Sequence, residues 1–423
     1  MALQHPTVSW ANGSNIYEVN LRQYTTQGTF LAFANHLPRL KAMGVDILWL
    51  MPITPISINK RQGSLGSYYA CSSYTDTNPE FGSIAQFQYL VRLAHENSMR
   101  VIIDWVANHT GCDHKWMYTN PEWYLKNEQG EFYDRNGWID VADLDYSQSA
   151  MRKAMIEAML FWVKTCGIDG FRCDMAHLVP LDFWADARKT IEAHCGQLFW
   201  LAETDDPNYL QVFDASYAWQ LMHTSEKYIK GEDTMASMAY LLEQYAKLPP
   251  QAMKLLFTSN HDENSWNGTE FEKYGKAALP FAVLTLTWPG IPLIYSGQEV
   301  ANHKRLQFFD KDVIDWPLNT HTSIEVMYTA LLHLRKRNKA LQWGATATLL
   351  SQHNQVLTYL LAQEQHRVFV VLNVSHHEKQ RVTVEHTQLA GNYVNVVSGI
   401  QFQLRSREQF ELQAGEFMVY EAV

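Results

Sequence analysis

Four acidic residues close short apolar runs in the first two-thirds of the chain. Asp104 ends Arg100-Val-Ile-Ile103, Asp174 follows Gly170-Phe-Arg-Cys173, Glu203 follows Phe199-Trp-Leu-Ala202, and Asp262 follows Leu256-Phe-Thr-Ser-Asn-His261. A single acid in such a place reads as a helix cap or a solvated turn. Four at the ends of successive runs read as one site, because parallel strands deliver their C-terminal ends to one face. Paired carboxyl groups have a definite use. A glycosidic oxygen leaves poorly unless protonated, so one carboxylic acid can supply the proton while a carboxylate about 5–5.5 Å away attacks from the other side.

The elements that must hold these acids alternate. Candidate strands at 16–20, 46–51, 100–105, 170–173, 199–202, 212–214, 255–259 and 292–295 are separated by helical patterns, with 31–43, 84–96, 150–164 and 322–336 the clearest. Asp145, Ser147 and Ser149 are available to cap the third of these. Alternating β and α units argue for a parallel sheet. An open doubly wound sheet is the structural alternative. Eight ordered units with polar strand ends favour a closed (β/α)8 TIM barrel.

Two stretches break this rhythm. Residues 109–142 are rich in Gly, Asn, Asp and aromatics, among them Trp116, Trp123 and Trp138. They are too long for a turn and are expected to form a short inserted domain at a functional rim. After residue 340 only short strand patterns remain, which predicts a C-terminal antiparallel β-sandwich over 341–423. The expected organisation is therefore a barrel in two parts, 1–108 and 143–340, interrupted by the 109–142 insert and followed by the sandwich.

Composition narrows the partners. The 34 basic and 44 acidic residues give a net charge of −10. With no Lys/Arg run to track phosphates, nucleic acid is excluded as a ligand, and a neutral ligand is compatible. Residues 277–298 carry no charge, but Pro280, Pro289, Gly290 and Pro292 interrupt them. They read as a buried helix followed by a buried strand, and no membrane partner is expected. Five scattered cysteines without a CxxC pair make neither a disulfide framework nor a zinc knuckle, leaving room for one bridge at most. The opening residues show no signal peptide, so the expected location is cytoplasmic, or periplasmic or secreted if a leader has been removed. The oligomeric state stays open.

The motifs together resemble those of the α-amylase family, glycoside hydrolase family 13. The similarity rests on Asp104-Trp-Val-Ala-Asn108-His109, Gly170-Phe-Arg172-Cys-Asp174, Trp200-Leu-Ala-Glu203, Asn260-His261-Asp262, the 290–299 segment, and Ala142-Asp-Leu-Asp145 in agreed order. The resemblance implies that Asp174 is the nucleophile, Glu203 the acid/base and Asp262 the third carboxylate, which binds sugar hydroxyls. It implies Arg172 beside Asp174, keeping it ionised, and His109 and His261 at the same sugar. Tyr69, in Gly66-Ser-Tyr-Tyr69, is implied to stack beneath the reactive ring, and Asp104 to support Arg172. Trp266 is a candidate sugar platform, with core packing its competing role.

The match loosens in places. Where many relatives carry Lys-His three and four residues after the nucleophile, this chain has His177 and Leu178; the Lys contact to the leaving-group sugar is lost, the relatives' acceptor-side preference does not carry over, and His177 stands as a candidate substrate contact. Ser73-Tyr74 stands where many relatives have Asp-Tyr. Chemistry requires no cofactor. The resemblance offers a structural calcium at Asn108, with Asp113 as a second hard oxygen, against a metal-free reading of Asn108. The implied function is retaining hydrolysis of α-1,4-glucosidic bonds in starch-type glucans or maltooligosaccharides. The alternatives are an α-glucan transglycosylase, a cyclomaltodextrinase-like enzyme, or an α-1,6- or α-1,1-specific relative. A non-catalytic carbohydrate-binding barrel is the different class, disfavoured because the three central carboxylates are all present.

Overall fold

The computed structural model describes residues 3, 5–317, 322–351, 353–375 and 378–423. Eight parallel strands close into a barrel: β1 (Ile16–Val19), β2 (Ile47–Leu50), β3 (Arg100–Trp105), β4 (Gly170–Cys173), β5 (Phe199–Ala202), β6 (Ala215–Tyr217), β7 (Met253–Leu256) and β8 (Ile291–Tyr295). Each pairs with its sequence neighbours, and β1 closes the ring against β8. Alternation along the strands sorts the side chains. Ile16, Ile47, Trp49, Ile102, Phe199, Leu201, Leu255 and Leu293 fill the barrel interior. Tyr17, Leu48, Ile103, Phe171 and Trp200 point outward to the helix layer. Two residues beyond an inward apolar position, the next inward residue is Glu18, Asp104 or Glu203. The strand period thus puts charge on top of a packed interior.

Several expected elements shift. The pattern at 31–43 forms two helices, Phe30–Ala34 and Leu37–Met43. Pro38 lies in the first turn of the second, where its missing N–H costs nothing; inside one continuous helix it would break the ladder. The sixth strand is Ala215–Tyr217, not 212–214. Asp214 is held back by Trp200 N–H at 2.8 Å and Arg188 at 3.2 Å. The helix Ser149–Cys166 starts from Gln148 without a side-chain cap, because Asp145 accepts from Ser147 N–H instead. The uncharged stretch forms the buried helix Ala278–Thr287 and then β8. Among the described residues no helix is long and apolar enough to cross a membrane. All five cysteines are free, so no bridge forms.

Between β3 and β4 the chain makes its long excursion. It opens and closes on a small antiparallel pair, His109–Gly111 with Val141–Asp143, and carries the helix Lys115–Thr119. At the C-terminus a six-stranded antiparallel sheet faces the pair Gln380–Glu385 and Arg407–Leu412. Leu360, Phe369 and Val371 of the first sheet meet Val382, Val384 and Phe410 of the second in one apolar cluster. The strand at Arg407–Leu412 has no counterpart in the sequence reading, since polar and charged residues fill all of it but Phe410 and Leu412.

Candidate active site

Arg172, on an inward position of β4, is the centre of the site and is wholly buried. Its Nη1 donates to Asp104 Oδ1 at 2.9 Å and to Asp174 Oδ1 at 3.0 Å, and its Nε donates to Tyr217 Oη at 3.0 Å. Nη2 lies 2.8 Å from Glu203 Oε1, an ion pair whose angle falls outside hydrogen-bond alignment. The guanidinium carbon sits 4.8 Å from the Trp49 ring centre. One cation therefore touches three acids from three strand ends. Buried charges persist only when paired in this way.

Asp174 and Glu203 are joined a second way. Met175 N–H donates to Glu203 Oε2 at 2.7 Å. Met175 adopts φ 40°, left-handed for a residue with a side chain. Such strain costs on the order of 1–3 kcal/mol and persists where the surroundings demand it. Here the strained residue is the one whose backbone N–H meets the facing carboxylate. Arg172 was expected to keep Asp174 ionised. In the free site, burial and the neighbouring Glu203 push the Asp174 carboxyl well up, and Arg172 only partly offsets them.

A second chain of polar contacts starts beneath. His261 Nδ1 is 2.5 Å from Glu18 Oε1, and its Nε2 is 2.6 Å from Tyr69 Oη and 3.4 Å from Asp262 Oδ2. Burial alone would lower the His261 pKa, but the Asp262 and Glu18 carboxylates outweigh it and hold it at about 9. As an imidazolium it donates to Glu18 and to Tyr69. Tyr69 Oη donates on to Asp104 Oδ2 at 3.1 Å, and burial lifts Asp104 to about 6 against the pull of Arg172. His109 differs: burial lowers it to about 4, so its ring is neutral.

The predicted residues divide into two groups. Asp104, Arg172, Asp174, Glu203, Tyr69, His261 and Asp262 form one connected network. His109 sits at the mouth of the excursion with Trp138 edge-on at 5.5 Å. Trp266, on a π-helical turn after β7, is 54% exposed and packs on Phe308 at 5.4 Å. Its core-packing role is thereby set aside. Phe308 stacks in turn on Tyr69 at 6.2 Å, making an aromatic wall from solvent to the network. His177 is exposed on the short turn Ala176–Leu178, outside this network.

Glu18, Tyr217 and Phe308 escaped the sequence reading, and Trp138 is marked there only as one aromatic of the excursion. Glu18 and Tyr217 occupy inward positions on the two strands with the weakest patterns. Phe308 lies in an irregular segment with no motif to mark it.

Asn108 and Asp113 do not fit the calcium ion that the resemblance offers. Asn108 Oδ1 accepts from Arg135 Nη2 at 3.0 Å. Asp113 Oδ2 accepts from the N–H groups of Ile58 and Asn59 at 2.7 and 3.1 Å. Asp113 Oδ1 is buried without a partner, but one oxygen does not make the six or more that calcium takes.

Comparison with known proteins agrees with this architecture. Residues 11–120 and 117–315 match the family model for the alpha amylase catalytic domain. A noncanonic maltogenic alpha-amylase, AmyB from Thermotoga neapolitana, superposes with a TM-score of 0.88 at 30% identity, covering 97% of this chain and 99% of that one. An alpha-amylase from Lactobacillus plantarum gives 0.87 at 28% identity, covering 98% and 100%. Alpha-amylase MalA from Haloarcula japonica is 24% identical over 86% of this chain, which spans 56% of MalA's length.

Proposed function

The chain belongs to the alpha-amylase family, and from that membership and the site we propose that it is a retaining glycoside hydrolase acting on α-1,4-linked glucans. The observation that carries the reading is the single buried guanidinium of Arg172 in contact with both Asp174 and Glu203. That contact brings a prospective nucleophile and a prospective proton donor to one point above the barrel.

In the first step Asp174 Oδ attacks the anomeric carbon while the bond to the glycosidic oxygen breaks. Glu203 delivers its proton to that oxygen, so the leaving sugar departs as an alcohol. A β-linked glycosyl ester of Asp174 remains. In the second step Glu203, now a carboxylate, takes a proton from water as the water oxygen attacks the same carbon, and the ester bond to Asp174 breaks. One proton on the Asp174–Glu203 pair is what this cycle needs.

Asp262, 40% accessible, is placed to take sugar hydroxyls, with the His261 cation behind it. These contacts count toward catalysis if they tighten as the ring flattens. Tyr69, Phe308 and Trp266 offer flat faces to successive sugars. The substrate is a neutral glucan, and the side chains alone carry the chemistry. The maltogenic name of AmyB favours short maltooligosaccharide products. Sugar in place of water in the second step would give transfer by the same intermediate.

Asp174→Ala and Glu203→Gln variants test the assignment. Each is expected to lower kcat on maltooligosaccharides by ~10³-fold or more, with circular dichroism unchanged. Wild-type turnover by a folded Asp174→Ala protein removes Asp174 from the role.

A further inference from the structure

Beneath the 109–143 excursion lies a buried junction that the catalytic cycle does not use. Asn108 is 1% exposed and Asp143 wholly buried. Asn108 Nδ2 donates to Asp143 Oδ1 at 2.9 Å. Arg135 reaches in from the surface and spans the two. Its Nε is 2.6 Å from Asp143 Oδ2 and its Nη2 is 3.0 Å from Asn108 Oδ1. Its backbone N–H adds a third contact, 3.1 Å from Asp143 Oδ2. Asp134 lies close by with a buried Oδ2 that has no partner, and its carboxylate, that of Asp143 and the His109 ring bring donor atoms within 4.8 Å of one another.

We propose that the Arg135 guanidinium is the built-in cation of this junction, standing in place of the calcium that the family resemblance offers at Asn108. The geometry gives three reasons. A buried carboxylate needs a positive partner, and Arg135 supplies it to Asp143. A planar guanidinium satisfies two acceptors in fixed directions at once, which a hydrated ion would do only after losing water. A divalent ion at Asn108 Oδ1 would stand against that fixed positive charge at contact distance, and the repulsion excludes it. Arg135 also ties the returning strand of the excursion to the end of β3. It is a positioning residue for the segment that carries His109.

The test uses the full chain and does not depend on the substrate. Thermal unfolding is followed after dialysis against EDTA, then with added calcium chloride, and bound metal is measured by mass spectrometry. The wild type is expected to unfold at the same temperature in both and to hold no stoichiometric calcium. Arg135→Ala is expected to unfold ~3 °C or more lower in EDTA. It should regain part of the loss with calcium, because Asn108 Oδ1 and the Asp143 and Asp134 carboxylates are then open to a hard ion. Arg135→Lys, which keeps the charge but not the two-acceptor fork, should fall between. A wild type that loses stability in EDTA and recovers it with calcium, or that carries one bound calcium or zinc per chain, overturns the proposal. So does an Arg135→Ala protein as stable as the wild type in EDTA.

Discussion

At the scale of single residues, the site works by controlling where a few protons rest. Glu18 and Asp262 face His261 from opposite sides, Tyr69 accepts from it, and Arg172 opposes its charge. Its pKa of about 9 lies above the free value. The imidazolium is therefore fully present below the free value and is lost as pH rises through about 9. Activity should carry an alkaline limb there. Glu18→Gln removes one of the two carboxylates that hold the charge, so the limb of a kcat/KM profile should move to lower pH, with several-fold loss near its wild-type position. An unmoved limb would detach Glu18 from the chemistry. The sequence showed the acids at strand ends because apolar runs announce those ends. It did not show Glu18, which follows the same rule on a strand whose pattern, Ile16-Tyr-Glu-Val19, is too short to announce itself. Nor could it show that Asn108 is occupied by a cation 27 residues away, since that pairing exists only once the excursion folds back.

At the scale of elements, the separation of Asp174 and Glu203 is set by the spacing of β4 and β5, whose C-terminal ends carry them. Gly170 opens β4, and a Cβ there would stand 2.0 Å from the Phe199 carbonyl oxygen of β5. The strands can approach only without that atom. Gly170→Ala should therefore push β4 from β5 and cost ~2 kcal/mol or more, measured by denaturant unfolding, with kcat falling because Asp174 moves relative to Glu203. Equal stability and turnover would mean that the strand pair tolerates widening. Strand existence was readable from periodicity, whereas exact bounds were not. Pro38 divides one apparent helix into two, and Asp214, drawn to Arg188 and Trp200, delays β6 by three residues. Both outcomes depend on tertiary partners.

At the scale of the whole molecule, the barrel and the sandwich share a core. Leu357, Tyr359, Leu361, Val370 and Leu372 belong to the same apolar cluster as the outer faces of the barrel strands. Tyr359 packs edge-on to Trp288 at 5.0 Å, and its Oη is 2.6 Å from Thr287 Oγ1. The change of pattern near residue 340 was visible in the sequence, but this continuity was not, because periodicity tells which face is apolar and not what covers it. Tyr359→Ala should cost ~3–5 kcal/mol by opening a cavity at that joint, seen as a lower unfolding temperature with KM for maltooligosaccharides unchanged. A rise in KM without loss of stability would instead give the sandwich a part in binding.

The proposed two-step cycle requires Asp174 to form a bond to the sugar before water does. Proton NMR of the first product released from a maltooligosaccharide, recorded before mutarotation, tests this directly. The α-anomer appearing first is the expected result. A β-anomer appearing first would mean that water attacks the substrate itself, and the two-step cycle through Asp174 would be wrong.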